Sequence, residues 1–249
     1  MDIHSFKQPV GFNIIHLDSV SSTNTIARGL LQKEEAREGL VIVAEHQTEG
    51  RGQQSSVWES HAGKNLLCSF VFMPSFMAVQ QQVYFNMAMC LAVSDTLNNY
   101  TRGVKVKWPN DVYIHDKKVA GLLIENSLSG DQVKYAIVGT GININQAHFE
   151  ETKATSLRIN TGLEHAKEEV LQELINNMGR RYAQLQLKQF DKIKADYHNQ
   201  LMGWQQLRTF KVNDEVFDAV VNGVDEDGRL VLQRMNRVEK FMVKQISML

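Results

Sequence analysis

Residues 105–125 read KVKWPNDVYIHDKKVAGLLIE, and the reading of this stretch decides the fold. Val104 and Val106 alternate with Lys105 and Lys107, which sends valines to one face of a strand and lysines to the other. Trp108-Pro109-Asn110-Asp111 interrupts the strand, because Pro109 has no N–H to give to a ladder. Residues 115–118 form a polar turn, so the stretch is expected to be two strands joined by a hairpin. The second strand, residues 119–125, is apolar almost throughout and is expected to be covered on both faces. Gly121 inside it marks a place where a ligand or another backbone comes close. Two lysines, a carboxylate and a glycine on adjacent strands suit a phosphate-bearing substrate. Ammonium groups would meet the anion, Asp111 a Mg²⁺, and bare backbone a flat ligand. The same residues also fit a solvated hairpin with surface lysines.

Composition narrows the function classes. The chain has 249 residues, and its formal net charge of −1 speaks against a nucleic-acid-binding surface. A hydrophobic fraction of 43% supports one sizeable core plus a small second domain. No apolar run approaches the ~18–20 residues that cross a bilayer. The N-terminal stretch lacks the charged-then-apolar layout of a signal peptide. Cys68 and Cys90 sit among apolar neighbours and read as buried thiols, not a disulfide. A cytoplasmic protein without DNA or membrane partners is expected.

Outward from the central stretch, residues 13–17 form a short strand, and the hydroxyl-rich residues 18–24 run into a helix N-cap. That helix carries Ile26, Ala27, Leu30 and Leu31 on one face and should stop at Gly39. Residues 40–45 (LVIVAE) and 65–73 (NLLCSFVFM) are buried strands. Between them, residues 47–58 make a polar loop, uncommon in a compact domain unless it is a functional lid or disordered. A helix is expected over 79–99, a turn over 127–132, and a strand over 135–145, where Gly139 and Gly141 bracket a close approach. No helix opens after that Gly-x-Gly, so a dinucleotide-binding fingerprint is not supported. Residues 164–187 form the longest helical pattern, continued by Phe190, Ile193, Tyr197 and Leu201. Beyond 203 the runs are short and alternating, with turns at 225–228 and at Asn222-Gly223. A large domain over 1–202 and a small all-β one over 203–249 follow from this change.

Four motifs then carry a resemblance: SSTN at 21–24, AEHQTEGRG at 44–52 with Trp58 beyond it, KWPNDV at 107–112 with KKVAGLLIE at 117–125, and VGTGININ at 138–145. With ATSL at 154–157 before a long helix, the chain resembles the biotin–protein ligases from about residue 13 onward. The resemblance implies an α+β fold: a mixed β-sheet with helices on one side, plus a small C-terminal β-barrel. It also implies the monofunctional type, since about a dozen residues precede the first strand, too few for the DNA-binding domain some members carry.

The implied reaction joins biotin to ATP as biotinyl-5′-AMP, with Mg²⁺. It then passes biotin to a lysine of the biotin carboxyl carrier protein of acetyl-CoA carboxylase. By resemblance Lys118 stands between the biotin carboxylate and the α-phosphate, and Arg51 lies in a loop that closes over the ligands. Ser22, Thr23, Gln47, Gly50 and Gly121 resemble the biotin-binding set. Lys107, Asn110, Asp111 and Asn143 resemble the ATP-binding set, with Asp111 as the Mg²⁺ candidate. Trp58 would stack on adenine or clamp the loop; it also fits a core anchor. Lys117 is read as solvated.

One departure stands out. The family commonly has a basic residue, a glycine and another basic residue after Gly-Arg-Gly, whereas here Gln53, Gln54, Ser55 and Ser56 follow Gly52. The expected consequence is looser retention of the adenylate, which trapping on bystander lysines would report. A lipoate– or octanoyl–protein ligase is the rival within the same chemistry, but its Arg-Arg-x-x-Gly-Gly signature is absent. A non-catalytic biotin-binding regulator is the rival from another class. Exposed sheet edges leave monomer and homodimer both open.

Overall fold

The structure is a computed structural model and describes residues 11–52 and 57–249. Its large sheet has seven strands: β1 (Asn13–Val20), β2 (Leu40–Gln47), β3 (Leu66–Phe72), β4 (Val104–Lys107), β5 (Asp111–Ile114), β6 (Lys117–Ser129) and β7 (Gln132–Ile142). Their spatial order is β1-β2-β3-β7-β6-β5-β4. β1 and β2 run parallel, and the crossover this requires is the helix α1 (Thr23–Gln32). The other neighbouring strands are antiparallel.

Strict alternation along the strands separates two apolar layers. Val41, Val43, Phe70, Phe72 and Val138 face α2 (Gln82–Asn98), α4 (Lys167–Gln186) and α5 (Phe190–Gln200) in the main core. There Tyr182 of α4 meets Phe72 at 4.7 Å between ring centres. The alternate residues Ile42, Val71 and Ile137 face Ala27 of α1. The large helices thus share one side, and α1 covers the parallel end of the other. A five-residue helix, α3 (Leu157–Thr161), precedes α4.

The chain then enters a second, antiparallel sheet of β8 (Leu207–Val212), β9 (Glu215–Val224), β10 (Leu230–Arg234), β11 (Arg237–Phe241) and β12 (Ser247–Met248). Its order is β11-β10-β9-β8-β12, and among the described residues no ladder joins β11 to β12, so the module is a sheet without barrel closure. Trp108 Nε1 donates to Gly228 O at 2.9 Å, tying the β9–β10 turn to the β4–β5 turn. Among the described residues no helix is long and apolar enough to cross a membrane.

Four local expectations are corrected. The central stretch holds three strands, not two: β4 pairs with β5 from Val104↔Ile114 to Lys107↔Asp111. Pro109 sits in the turn between them, after a cis peptide, where its missing N–H is no loss to a ladder. Helix α1 ends at Gln32, and Gly39 (φ 85°) instead turns the chain into β2, donating its N–H to Val71 O at 2.9 Å. The turn after β6 is shorter than expected, since β6 runs to Ser129 and β7 starts at Gln132. Gly223 lies inside β9, beside a bulge where Val231↔Gly223 is followed by Leu232↔Val221. A Cβ there would come within 2.7 Å of His198 Nε2, so Gly223 admits the stacked His198–Trp204 pair.

Candidate active site

A cavity of about 200 Å³ opens where β3, β6 and β7 meet the start of α1 and residues Arg51, Gly52 and Trp58. Its floor is glycine. Gly121 and Gly141 are partners across the β6–β7 ladder, and Gly139 is two residues back on the same face of β7. A Cβ on Gly141 would lie 2.5 Å from Trp58 Cε2, one on Gly121 3.1 Å from Trp58 Cζ3, and one on Gly139 2.3 Å from Asn24 Oδ1. Bare backbone therefore lets an indole and an amide rest on the sheet. The indole Nε1 is buried and has no acceptor among the described residues.

The end over Gly139 is polar and uncharged. Gln47 Oε1 accepts from Thr23 N at 2.8 Å and lies 3.0 Å from Thr23 Oγ1. Ser69 Oγ lies 2.7 Å from Thr23 Oγ1 and 2.6 Å from Asn24 Oδ1. Asn24 Nδ2 donates to Leu123 O at 3.2 Å and to Glu125 Oε2 at 2.8 Å, which fixes the amide orientation. Glu125 in turn pairs with Arg28. Three oxygen–oxygen contacts share the two hydroxyl protons of Thr23 and Ser69, so one contact carries no proton. A ligand N–H arriving here meets acceptor capacity already in place.

The end over Gly141 is charged. Lys118 Nζ pairs with Asp111 Oδ1 at 2.8 Å and stands 5.4 Å from the centre of the Trp58 ring. Arg51 is exposed at the rim, with Nη2 3.4 Å from Thr25 Oγ1. Asp111 is the one carboxylate among the cavity's described lining residues. Beside it, Lys107 Nζ lies 5.0 Å from the Tyr113 ring centre. Burial, then the neighbouring Lys153 and Lys118 charges, lower the Lys107 pKa against the pull of Asp111. Burial, then the Asp111 and Glu151 charges, push Tyr113 up to about 12.

Of the residues singled out in the sequence, Ser22, Thr23, Gln47, Arg51, Trp58, Asn110, Asp111, Lys118 and Gly121 line this cavity. Asn110 spends its amide on Leu122 O, so it holds the turn as well as facing the cavity. Three expected residues stand outside the lining. Gly50 is buried behind it, and its carbonyl accepts Trp58 N at 3.0 Å. Lys107 lies one ladder rung away, opposite Asp111. Asn143 is buried behind the wall, donating Nδ2 to Thr155 O at 3.0 Å and N–H to Val119 O at 2.8 Å. The uncharged loop positions 53–56 lie outside the described residues. Lys117 is exposed, as read.

Sequence reasoning missed Asn24, Ser69 and Glu125. A signal existed for each. Asn24 closes the SSTN motif, Ser69 is a lone hydroxyl in a fully buried strand, and Glu125 ends an apolar run.

Sheet and cavity together define a class: an α+β domain with a polar slot, cationic at one end, built for a small anionic ligand. The chain belongs to the biotin/lipoate A/B protein ligase family, whose pattern matches residues 17–143. It is 29% identical over 246 residues to the bifunctional ligase/repressor BirA of Bacillus subtilis (strain 168), covering 96% of this chain and 75% of the relative. It is also 29% identical over 201 residues to the biotin–[acetyl-CoA-carboxylase] ligase of Paracoccus denitrificans, covering 77% and 83%. Among solved structures, the biotin protein ligase of Aquifex aeolicus in complex with biotin and ATP superposes with a TM-score of 0.78 at 28% identity, covering 95% of this chain and 98% of that one.

Proposed function

We propose that this chain is an ATP-dependent biotin–protein ligase that makes biotinyl-5′-AMP and transfers biotin to a lysine of a biotin carboxyl carrier protein. The observation that carries the reading is the polarity of the cavity along β7. Gly139, under the uncharged network, and Gly141, under Trp58 and Lys118, are one two-residue step of about 7 Å apart. Biotin has the same order: a ureido ring with two N–H donors and one carbonyl, an apolar chain, then a carboxylate. Thr23, Gln47 and Ser22 take the ureido group, and Gly121 opens the floor to the chain. Gly50 shapes the turn that brings Trp58 over it.

In the first step a carboxylate oxygen bonds to the α-phosphorus, the bond to the β-phosphate breaks, and pyrophosphate leaves. Lys118 faces both anions and offsets their repulsion, while Arg51 closes from the rim as the charge develops. In the second step the carrier's ε-amine attacks the acyl carbon and AMP departs. Trp58 and Asn110 hold the nucleotide, and Asn143 contributes from behind through the segment it pins. The donor set suits a Mg²⁺ held partly by substrate. Among the described residues no three His, Cys, Asp or Glu side chains gather as a metal site, and Asp111 is the single carboxylate among the cavity's described lining residues. The ion, when bound, neutralises phosphate charge. We assign residues 1–202 to the ligase domain and 203–249 to the accessory module, and place the protein in the cytoplasm.

Biotin-dependent exchange between ATP and labelled pyrophosphate tests the reading. Exchange is expected with biotin and not with lipoate, and Lys118→Ala should cut it by about 10²-fold, the scale of one lost oxyanion stabiliser. A folded wild-type protein that binds biotin without exchange would be a regulator and not a ligase.

A further inference from the structure

Two lysines, Lys107 and Lys118, flank one carboxylate at the charged end, that carboxylate is already committed to Lys118 at 2.8 Å, and a third lysine stands nearby. Lys107 sits directly across the β4–β5 ladder from Asp111, and Tyr113, which carries the Lys107 ammonium over its ring, pairs with Lys118 in the next ladder. The third is Lys153. Its carbonyl accepts the N–H of Lys118 at 2.7 Å, and Ala154 bridges Lys118 in parallel register. The 153–157 segment is fixed on both sides. Thr155 N donates to Lys118 O at 2.8 Å, Asn143 Nδ2 to Thr155 O at 3.0 Å, and Leu157 N to Asn143 O at 3.1 Å.

Among the described residues neither Lys107 nor Lys153 makes an ion pair. The nearby Glu151 turns its carboxylate back on its own segment, accepting Lys153 N at 3.2 Å. Lys105, on the same strand face as Lys107, is engaged elsewhere, with Nζ 3.0 Å from Asn199 O. Two ammonium groups stand close enough to disfavour each other, and Asp111, already paired with Lys118, offsets them only in part, so the place favours an anion.

We propose that Lys153, together with Lys107, forms the subsite for the β- and γ-phosphates of the nucleotide, the part that leaves as pyrophosphate. The proposal rests on the ligase reading and assigns a residue to it. When the carboxylate oxygen bonds to the α-phosphorus, the electron pair of the breaking bond stays on the bridging oxygen of pyrophosphate. Cations on that side stabilise the charge as it builds. Lys118 serves the other side, between carboxylate and α-phosphate. Residues 53–56 carry no charged side chain in the sequence, whereas the 151–155 segment brings Lys153 alongside Lys118.

The test is steady-state pyrophosphate exchange with Lys153→Ala and Lys153→Arg, beside calorimetric titration of inorganic pyrophosphate into the unmodified protein and each variant. Lys153 is exposed, so neither substitution disturbs a core. Lys153→Ala should raise KM for ATP and for pyrophosphate about five- to tenfold, with KM for biotin unchanged and a shallower salt dependence. Lys153→Arg should restore both to within about twofold, since it returns the charge. Unchanged KM values for ATP and pyrophosphate in Lys153→Ala overturn the assignment, as does an equal rise in KM for biotin. If wild type shows no exchange, the ligase reading fails. The titrations then decide the subsite separately: loss of pyrophosphate affinity in Lys153→Ala upholds it, and equal affinity removes it.

Discussion

Gly141→Ala should separate catalysis from stability. The new Cβ would sit 2.5 Å from Cε2 and 2.8 Å from Cζ2 and Nε1 of Trp58, against about 3.5–4.0 Å for a comfortable carbon contact. The overlap is about 1 Å, and the sheet at Gly141 is paired on both sides, to Leu67 and Gly121. The indole must therefore move. It hangs on a rim loop anchored by Trp58 N to Gly50 O and by the Arg51↔Val57 bridge, so it can lift at modest cost. A ring displaced by 1 Å no longer walls the slot proposed to hold carboxylate and α-phosphate together, and misplacement on that scale costs about 10²-fold in rate. Stability should fall by only about 1 kcal/mol, roughly 2–4 °C in Tm for a chain of this size. Gly139→Ala is the control. Its Cβ would meet Asn24 Oδ1 at 2.3 Å, and Asn24 is held by Ser69, Leu123 and Glu125 with nowhere to go. That variant should lose about 3 kcal/mol or more, roughly 6–12 °C. Thermal scanning with pyrophosphate exchange measures both. Near wild-type exchange in Gly141→Ala, or equal Tm losses in the two variants, would refute the account of the floor.

Two further outcomes follow from buried or paired titratable groups. Burial, helped by the Asp111 charge, pushes the Cys90 thiol up to about 12, and burial alone pushes Cys68 higher. An aromatic disulfide reagent at pH 8 should label neither thiol in the native chain and both in denaturant; native labelling of Cys68, which lines the cavity, would contradict the packing. In the small sheet, burial would raise the Asp225 pKa, but hydrogen bonds from Arg229, Lys240 and Asp227 N bring it down to about 2 from its ordinary 3.8. A depressed carboxylate pKa stabilises the fold above the unfolded value and loses that contribution as pH falls through the folded one. Asp225→Asn should therefore lower Tm most above about pH 4, with the deficit shrinking as pH drops towards 2, and a pH-independent deficit would assign the effect to hydrogen bonding alone.

What was legible in the sequence was local. Periodicity located β2, β3, α2 and α4, because an apolar stripe reports the face that a core will cover. Asp111, Lys118 and Gly121 could be singled out because they share one hairpin. The Asn24–Ser69–Glu125 network was missed although each member carried a local signal, since they meet only when α1, β3 and β6 are stacked, and each alone fits a cap, a buried hydroxyl or a strand end. Asn143 shows the same dependence on the fold. Its amide nitrogen holds Thr155 O, while its Oδ1 is buried with no partner among the described residues. Gly223 carried a turn signal that was really room for the His198–Trp204 pair.

The position of Lys118 itself depends on an irregularity that no pattern announces. Asp111 and Gly121 share the cavity face, so unbroken alternation along β6 would put residues 119 and 117 there and turn 118 towards the core. The ladder instead runs Val112↔Ala120 and then Tyr113↔Lys118, leaving Val119 as one extra residue. That bulge re-aims the strand so that Lys118, not Lys117, joins Asp111 and Gly121. Backbone groups displaced there are taken up outside the sheet. Asn143 N holds Val119 O at 2.8 Å, Lys153 O takes Lys118 N at 2.7 Å, and Thr155 N reaches Lys118 O at 2.8 Å. The segment proposed to cradle the leaving group is therefore the same one that stabilises the bulge. The proposed phosphate contact on one side of Lys118 and its ion pair with Asp111 on the other would then share a single set of backbone bonds.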